Sequence, residues 1–425
     1  MDRYIDIMRS CGADAWEITD TRTTGWEFYF IKHRLDQNRA KNVEHIKFKA
    51  YKMSDDGQFL GMASADVSPT DSDDDLRRTA AELVKRASLV KNKPYRLNQP
   101  ADYVPVKTEL KPLAEEAEAF IRTMESIDET DTEDLNSFEL FIEQNERRLI
   151  TSEGIDVTEK YPSATVDVVI NARKDGHEIE LYRLYELGSC DGKLLKHDIE
   201  ELMQFGKDRL RAEPTPAVGQ SPVVLSTDAA LSVYEYFLDN MNAAFVLRGM
   251  SSFELGKEIS DDYTGDRITL RTLRELEGSP VNTSSDIEGA PVFDAVLIEN
   301  GVPVKYIGSR MFSQYMGLTD SFNVTNWAVS GGSMSADEIR TGSFLEIVEF
   351  SDFQVDGMTG DIFGEIRLAY YHDGKGNVTP VSGGSVSGSM LDNISDMKMS
   401  SETRRYVNAE IPAVTRLEHV TVAGA

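Results

Sequence analysis

Apolar positions in the first half of the chain fall into one pattern met twice. A helical segment at Tyr4–Arg9 is followed by alternating runs at Ala15–Asp20, Trp26–Ile31, His45–Met53 and Phe59–Val67. The spacing then predicts an amphipathic helix over Asp75–Val90, with Leu76, Ala80, Leu83, Val84 and Ala87 on one stripe. After a Pro- and Asn-containing linker, Asn92–Pro112, a helix is predicted over Leu113–Ser126. Strands follow at Ser137–Gln144, Arg147–Thr151, Thr165–Ala172 and Glu178–Leu187, and a closing helix at Asp198–Arg211. Trp16-Glu17-Ile18 echoes Phe138-Glu139-Leu140. The order helix, four strands, helix thus occurs over 1–91 and again over 113–212. It fits an internal duplication, and equally two unrelated α+β hairpin units.

The stretch Glu213–Pro222, with three prolines and a glycine, marks a boundary. Beyond it, short alternating runs such as Ala295–Ile298, Phe344–Phe350, Ile362–Tyr371 and Val414–Val422 sit among Gly and Ser. They predict a mainly antiparallel β domain. The fold class expected is α+β: an N-terminal domain of two similar lobes over 1–215 and a C-terminal β-rich domain over 222–425.

Composition narrows the function classes. With 425 residues, 40% of them hydrophobic, the chain can bury more than one core. Its net charge is −28, from 45 basic and 73 acidic residues, and such a surface repels phosphate backbones and anionic lipids. Direct nucleic-acid or membrane binding is not expected. No apolar run is long enough to span a bilayer, Met1–Ser10 does not read as a signal peptide, and two cysteines do not make a disulfide scaffold. A cytoplasmic location is the expectation.

Ligand residues are few. The histidines are His33, His45, His177, His197, His372 and His419, with no pair at one-turn spacing, and neither Cys11 nor Cys190 lies in a Cys-x-x-Cys pair. A zinc centre drawing three or four ligands from this chain is therefore not expected, and no cofactor is called. Asp71-Ser-Asp-Asp-Asp75 lacks the glycine and closing glutamate of a calcium loop and suits a helix N-terminus. Gly331-Gly-Ser333 and Gly383–Gly388 lack nucleophile-elbow spacing and read as turns. The informative segment is Pro222-Val-Val-Leu-Ser-Thr-Asp228, a buried strand leading through a turn, capped by Thr227 or Asp228, into a helix with Tyr234, Glu235, Tyr236, Asp239 and Asn240.

In chain order come Ser252–Lys257, Asp286-Ile-Glu-Gly289, Val296-Leu-Ile-Glu-Asn-Gly301, Gly357-Met-Thr-Gly-Asp361 and a final Val420-Thr-Val-Ala-Gly424. Together these resemble the TldD/PmbA family, whose members are often described as modulators of DNA gyrase. The resemblance is clearest from Val223 onward. It departs from the family at Ile362-Phe363, where Phe-Ser is usual. TldD-type members are metallopeptidases with a His-Glu-x-x-x-His zinc helix and a C-terminal cysteine ligand. PmbA-type members, also called TldE, lack those ligands and pair with TldD around an unfolded peptide.

That helix maps onto Tyr234–Asn240 in either of two registers. The ligand positions hold Glu235 and Asn240 in one, and Tyr234 and Asp239 in the other, where Glu235 takes the catalytic glutamate's place. No histidine lies between His197 and His372 and no cysteine follows Cys190. The resemblance therefore implies the metal-free branch: a subunit with no catalytic or metal residue of its own, dimeric with a TldD-like zinc-bearing partner or with itself. An extended peptide would add to an exposed strand edge. Expected peptide or partner contacts are Glu235, Asp239 and Asn240 with the turns Glu299-Asn300-Gly301 and Thr359-Gly360-Asp361. The alternatives are a stand-alone regulatory binding protein, as the gyrase description implies, and a hydrolase with a carboxylate site around Glu235 and Asp239.

Overall fold

The structure, a computed structural model, describes all of residues 1–425. The first half contains α1 (Asp2–Ser10), β1 (Ala15–Ile31), β2 (Arg34–Met53), β3 (Leu60–Val67), α2 (Asp73–Ala87), α3 (Leu113–Glu125), β4 (Glu133–Thr151), β5 (Asp156–Lys174), β6 (His177–Leu187) and α4 (Gly192–Arg209). Helix, three strands and helix occur twice, and the six strands form one antiparallel sheet in the order β3-β2-β1-β4-β5-β6. The two units meet at the central β1–β4 pair, where Thr23 and Asn145 share a buried hydrogen bond of 2.7 Å.

The four strands expected per unit are corrected to three, because each unit's first two runs belong to one long strand. In β1 the polar stretch Thr21–Thr24 separates the apolar runs, but its backbone pairs with both β2 and β4. Gly25 continues the strand because a side chain there would strike the Ile142 carbonyl at 2.6 Å. Residues Arg34–Glu44 extend β2 with no apolar signal, since that stretch is largely exposed. Helix α2 begins at Asp73, with Ser72 accepting from the Asp75 amide at 3.2 Å as its cap. Helix α4 starts six residues before the expected Asp198, where Asp191 caps the amides of Lys193 and Leu194.

The second half runs β7 (Glu213–Pro214), β8 (Gly219–Leu225), α5 (Ala230–Asn240), α6 (Ala243–Leu247), β9 (Leu270–Leu273), β10 (Ala295–Glu299), β11 (Val302–Pro303), α7 (Arg310–Tyr315), β12 (Asn326–Val329) and α8 (Ala336–Ile339). It continues with β13 (Ser343–Val355), β14 (Asp361–Asp373), β15 (Val378–Ser382), β16 (Ser385–Ser389), α9 (Met390–Asn393), β17 (Lys398–Met399), β18 (Thr403–Tyr406), β19 (Ala409–Pro412) and β20 (Thr415–Ala423). Strands β13, β8, β20, β16 and β14 pair in that order, and β14 pairs back to β13, so the sheet closes on itself as a barrel. A second sheet, β11-β10-β9-β12-β19-β18, shares with it one apolar core that includes Tyr234, Phe237, Leu297, Trp327 and Ile366. The fold is α+β, as expected. No helix is long and apolar enough to cross a membrane.

The halves are closely joined. Val348 and Leu368 of the barrel enter the core under α3 and α4, and Tyr370 donates to Asp208 of α4 at 2.7 Å. The linker over 92–112 lies along the second half: Asn98 donates to the Glu288 carbonyl and Tyr103 to that of Gly289, both at 2.9 Å.

Candidate functional site

Helix α5 leaves β8 through Ser226–Ala229 and packs on the barrel. The cap expected at Thr227 or Asp228 is not made. Residue Ala229 occupies the N-cap without a side-chain bond, Thr227 donates to the Val348 carbonyl at 3.3 Å, and Asp228 pairs with Arg183 at 2.9 Å. One face of α5 is spent on the interior. Tyr234 is fully buried and its hydroxyl bonds Thr415 at 2.6 Å. Buried Asn240 donates to the carbonyls of Tyr236 and Gly357 at 2.8 and 2.9 Å.

Glu235 and Asp239, one turn apart, lie on the opposite, exposed face with no ion pair to either. Partial burial of its carboxylate pushes Glu235 above the usual carboxylate range, with Asp239 adding to the shift; burial does the same for Asp239. Each register of the expected zinc helix thus pairs one inward residue with one outward residue: Asn240 with Glu235, or Tyr234 with Asp239. These residues do not fit a zinc ion, because the inward member is already committed to internal hydrogen bonds and neither pair faces one point. No group of three or more His, Cys, Asp or Glu side chains converges to hold a metal anywhere in the chain.

The turn Thr359-Gly360-Asp361 packs against this helix. It closes the β13–β14 hairpin, with Gly360 at φ 76° and its α-carbon so close to Tyr236 and Met390 that an added methyl would sit 3.3 Å from each. A methyl on Gly357 would come within 2.8 Å of the Asp239 carboxylate. Thr359 and Asp361 bond one another at 2.8 Å, and Asp356 accepts from the amides of Met358 and Thr359 at 2.9 and 2.7 Å. The turn is therefore shaped from within and presented at the end of α5. The third predicted element makes no hydrogen bond to α5 or to this turn. Glu299-Asn300-Gly301 is a two-residue hairpin turn with positive φ at Asn300 and Gly301, and Thr269, Ile268 and Ile259 hold it.

Asp286-Ile-Glu-Gly289 forms the joint between the halves. Buried Glu159 of β5 accepts from the amides and hydroxyls of Ser284 and Ser285 at 2.6–3.1 Å. Arg147 of β4 donates to the carbonyls of Ser285 and Asp286 at 2.9 and 3.1 Å. The Asp286 carboxylate takes the amides of Glu288, Ala290 and Asn323 at 2.7–2.8 Å, and Gly289 leaves room for Ile155 and Leu149. Sequence reasoning missed a cleft of about 140 Å³ between the halves, walled by β6, α4, the start of α5 and the β18–β19 hairpin. No local motif announces it, because its walls come from four separated segments.

The chain is thus a two-unit α+β half docked through a buried carboxylate onto a closed five-stranded barrel that carries α5 on its outside. Residues 218–424 match the PmbA/TldA metallopeptidase C-terminal domain, so the second half of the chain carries that family's domain. In structure the chain is similar to TldE from Thermococcus kodakarensis, with a TM-score of 0.79 at 17% identity over 99% of this chain and 100% of that one. It is also similar to a Thermotoga maritima protein described as a candidate modulator of a DNA gyrase, with a TM-score of 0.78 at 15% identity over 100% and 99% of the two chains. Identities this low speak for the fold alone. In sequence it is 24% identical to an uncharacterized protein of Methanocaldococcus jannaschii over 58% of this chain and 59% of that protein. It is 27% identical to a metalloprotease TldD homolog of Buchnera aphidicola over 43% and 40%. The alignments thus span less than two thirds of these curated relatives.

Proposed function

We propose that this chain is the non-catalytic, PmbA/TldE-like subunit of a TldD/PmbA-type peptidase assembly that processes unfolded polypeptide. A TldD-like partner would contribute the zinc. One observation carries this reading: the helix that corresponds to the zinc helix turns Tyr234 and Asn240 inward and Glu235 and Asp239 outward, so its side chains offer no convergent ligand set. The outward carboxylates and the Thr359–Asp361 turn beside them are the surface offered to partner or peptide. Purified alone, the chain should bind no stoichiometric zinc and cleave no unfolded peptide, and cleavage should appear on adding a His-Glu-x-x-x-His-bearing subunit. Stoichiometric zinc on the lone chain would overturn the reading.

A second reading is favoured by the upward shift of both outward carboxylates, which suits proton transfer. It is a carboxylate hydrolase working without metal. It requires EDTA-resistant turnover by the lone chain that Glu235→Gln abolishes; turnover untouched by that substitution rules it out.

A further inference from the structure

The cleft between the halves has an apolar floor and an uncommitted cation on its wall. Leu194, Leu195, Leu202 and Phe205 of α4 and Leu231 of α5 form the floor, and the volume of about 140 Å³ is close to that of a cavity that accepts a benzene-sized group. Most charges around it are already matched. Arg183 pairs with Asp228 and Glu349, Arg404 with Asp198 and Glu201, and Asp191 caps α4. Arg405 is the exception. It is half-buried, has no carboxylate within ion-pair distance, and donates only to the Val407 carbonyl at 3.1 Å, leaving most of its five N–H groups unused. Burial lowers its pKa against the opposing pull of the Asp191, Asp198 and Glu277 carboxylates, none of which reaches ion-pair distance, so an anion in direct contact would relieve a desolvated charge.

Two further features sit on the same hairpin. The Tyr406 hydroxyl is buried and finds no hydrogen-bond partner among the protein's atoms. Val407 holds φ 51°, a left-handed conformation that a β-branched side chain resists, and so presents itself to the cleft under strain. A desolvated guanidinium, an unmatched hydroxyl and a strained turn, all edging one apolar hollow, are together unfavourable unless something fills it.

We propose that this cleft binds a terminal carboxylate carried on an apolar group, the carboxylate lying on Arg405 and the apolar part on the leucine floor. Tyr406 supplies a further hydrogen bond, and exposed Glu186 on the rim favours a neighbouring ammonium. That chemistry is shared by a free apolar amino acid and by the C-terminal residue of a peptide. The site does not depend on the partner-subunit reading, because the lone chain binds.

Calorimetry on the full chain with N-acetyl-leucine and its amide, N-acetyl-leucinamide, tests the proposal. The acid should bind at least about tenfold more tightly than the amide, and Arg405→Gln should erase that difference while leaving the weak binding of the amide alone. Leu231→Trp, which fills the floor, should abolish both. Where a substitution disturbs folding by circular dichroism, the comparison of acid with amide on the unaltered chain decides. Leucine binding more tightly than Ala-Ala-Leu identifies a free amino acid as ligand, and the reverse order identifies a peptide terminus. Equal affinities for acid and amide, no heat from the acid at millimolar concentration, or an unchanged preference in a folded Arg405→Gln protein would each overturn it.

Discussion

Glu235 and Asp239 carry like charge one turn apart on a helix face with no cation to balance them. Their folded-state pKa values lie above the ordinary carboxylate range. A group shifted upward binds its proton more tightly in the fold, so its contribution favours folding at pH below the unfolded value, about 4, and is lost as pH rises through the folded one. Asp239→Asn should therefore raise the melting temperature at pH 7 relative to the unaltered chain, with the gap closing below about pH 4. A gap that persists in acid would mean the gain comes from packing against Gly357 instead of charge. The residue types at 234–240 were legible in the sequence, but their facing was not. Which of Tyr234 and Glu235 turns inward depends on the barrel beneath, above all on Thr415, nearly two hundred residues away.

Helix α5 is tied to β20 by the single Tyr234–Thr415 bond at 2.6 Å, with both residues fully buried. Tyr234→Phe leaves the Thr415 hydroxyl buried without that partner and should cost about 1–2 kcal/mol, read from the denaturant midpoint at unchanged slope. Tyr234→His combined with Asp239→His should create no zinc site, because position 234 points into the core. Zinc bound by that double variant would show that the helix can turn outward. The long strands were read only where side chains alternate. Polar Thr21–Thr24 and exposed Arg34–Glu44 belong to β1 and β2 through backbone pairing, which needs a neighbouring strand but no apolar pattern. The same dependence on partners hid the barrel. Individual runs such as Ile362–Tyr371 were clear, but closure rests on β14 pairing with both β16 and β13.

At the scale of the whole chain, Asp286-Ile-Glu-Gly289 was noticed as a signature, and its placement gives it a structural role. Across the boundary between the halves, the two serines just before it, Ser284 and Ser285, donate to the buried carboxylate of Glu159, and the Asp286 carbonyl accepts from Arg147. Glu159→Ala removes the shared acceptor for two amides and two hydroxyls and should destabilise by about 3 kcal/mol. The unaltered chain should unfold in one denaturant transition, and this substitution should split it into two as the halves uncouple. A single transition with an unshifted midpoint would place the docking energy elsewhere, for example in α4, where Tyr370 meets Asp208. Burial alone would push the Asp208 carboxyl up, but hydrogen bonds from Gln204, Tyr370 and Arg211 outweigh it and hold the group below its ordinary range. Its contribution is thus present above the unfolded carboxylate value and lost as pH falls through the folded one, so docking should weaken in acid.

The most direct measurement is zinc content and peptide cleavage by the purified chain, first alone and then mixed with a TldD-type subunit. A silent companion subunit gives no stoichiometric zinc and no cleavage alone, and cleavage once the partner is present beyond what the partner achieves by itself. One zinc per chain, or metal-dependent cleavage by the chain alone, would contradict it.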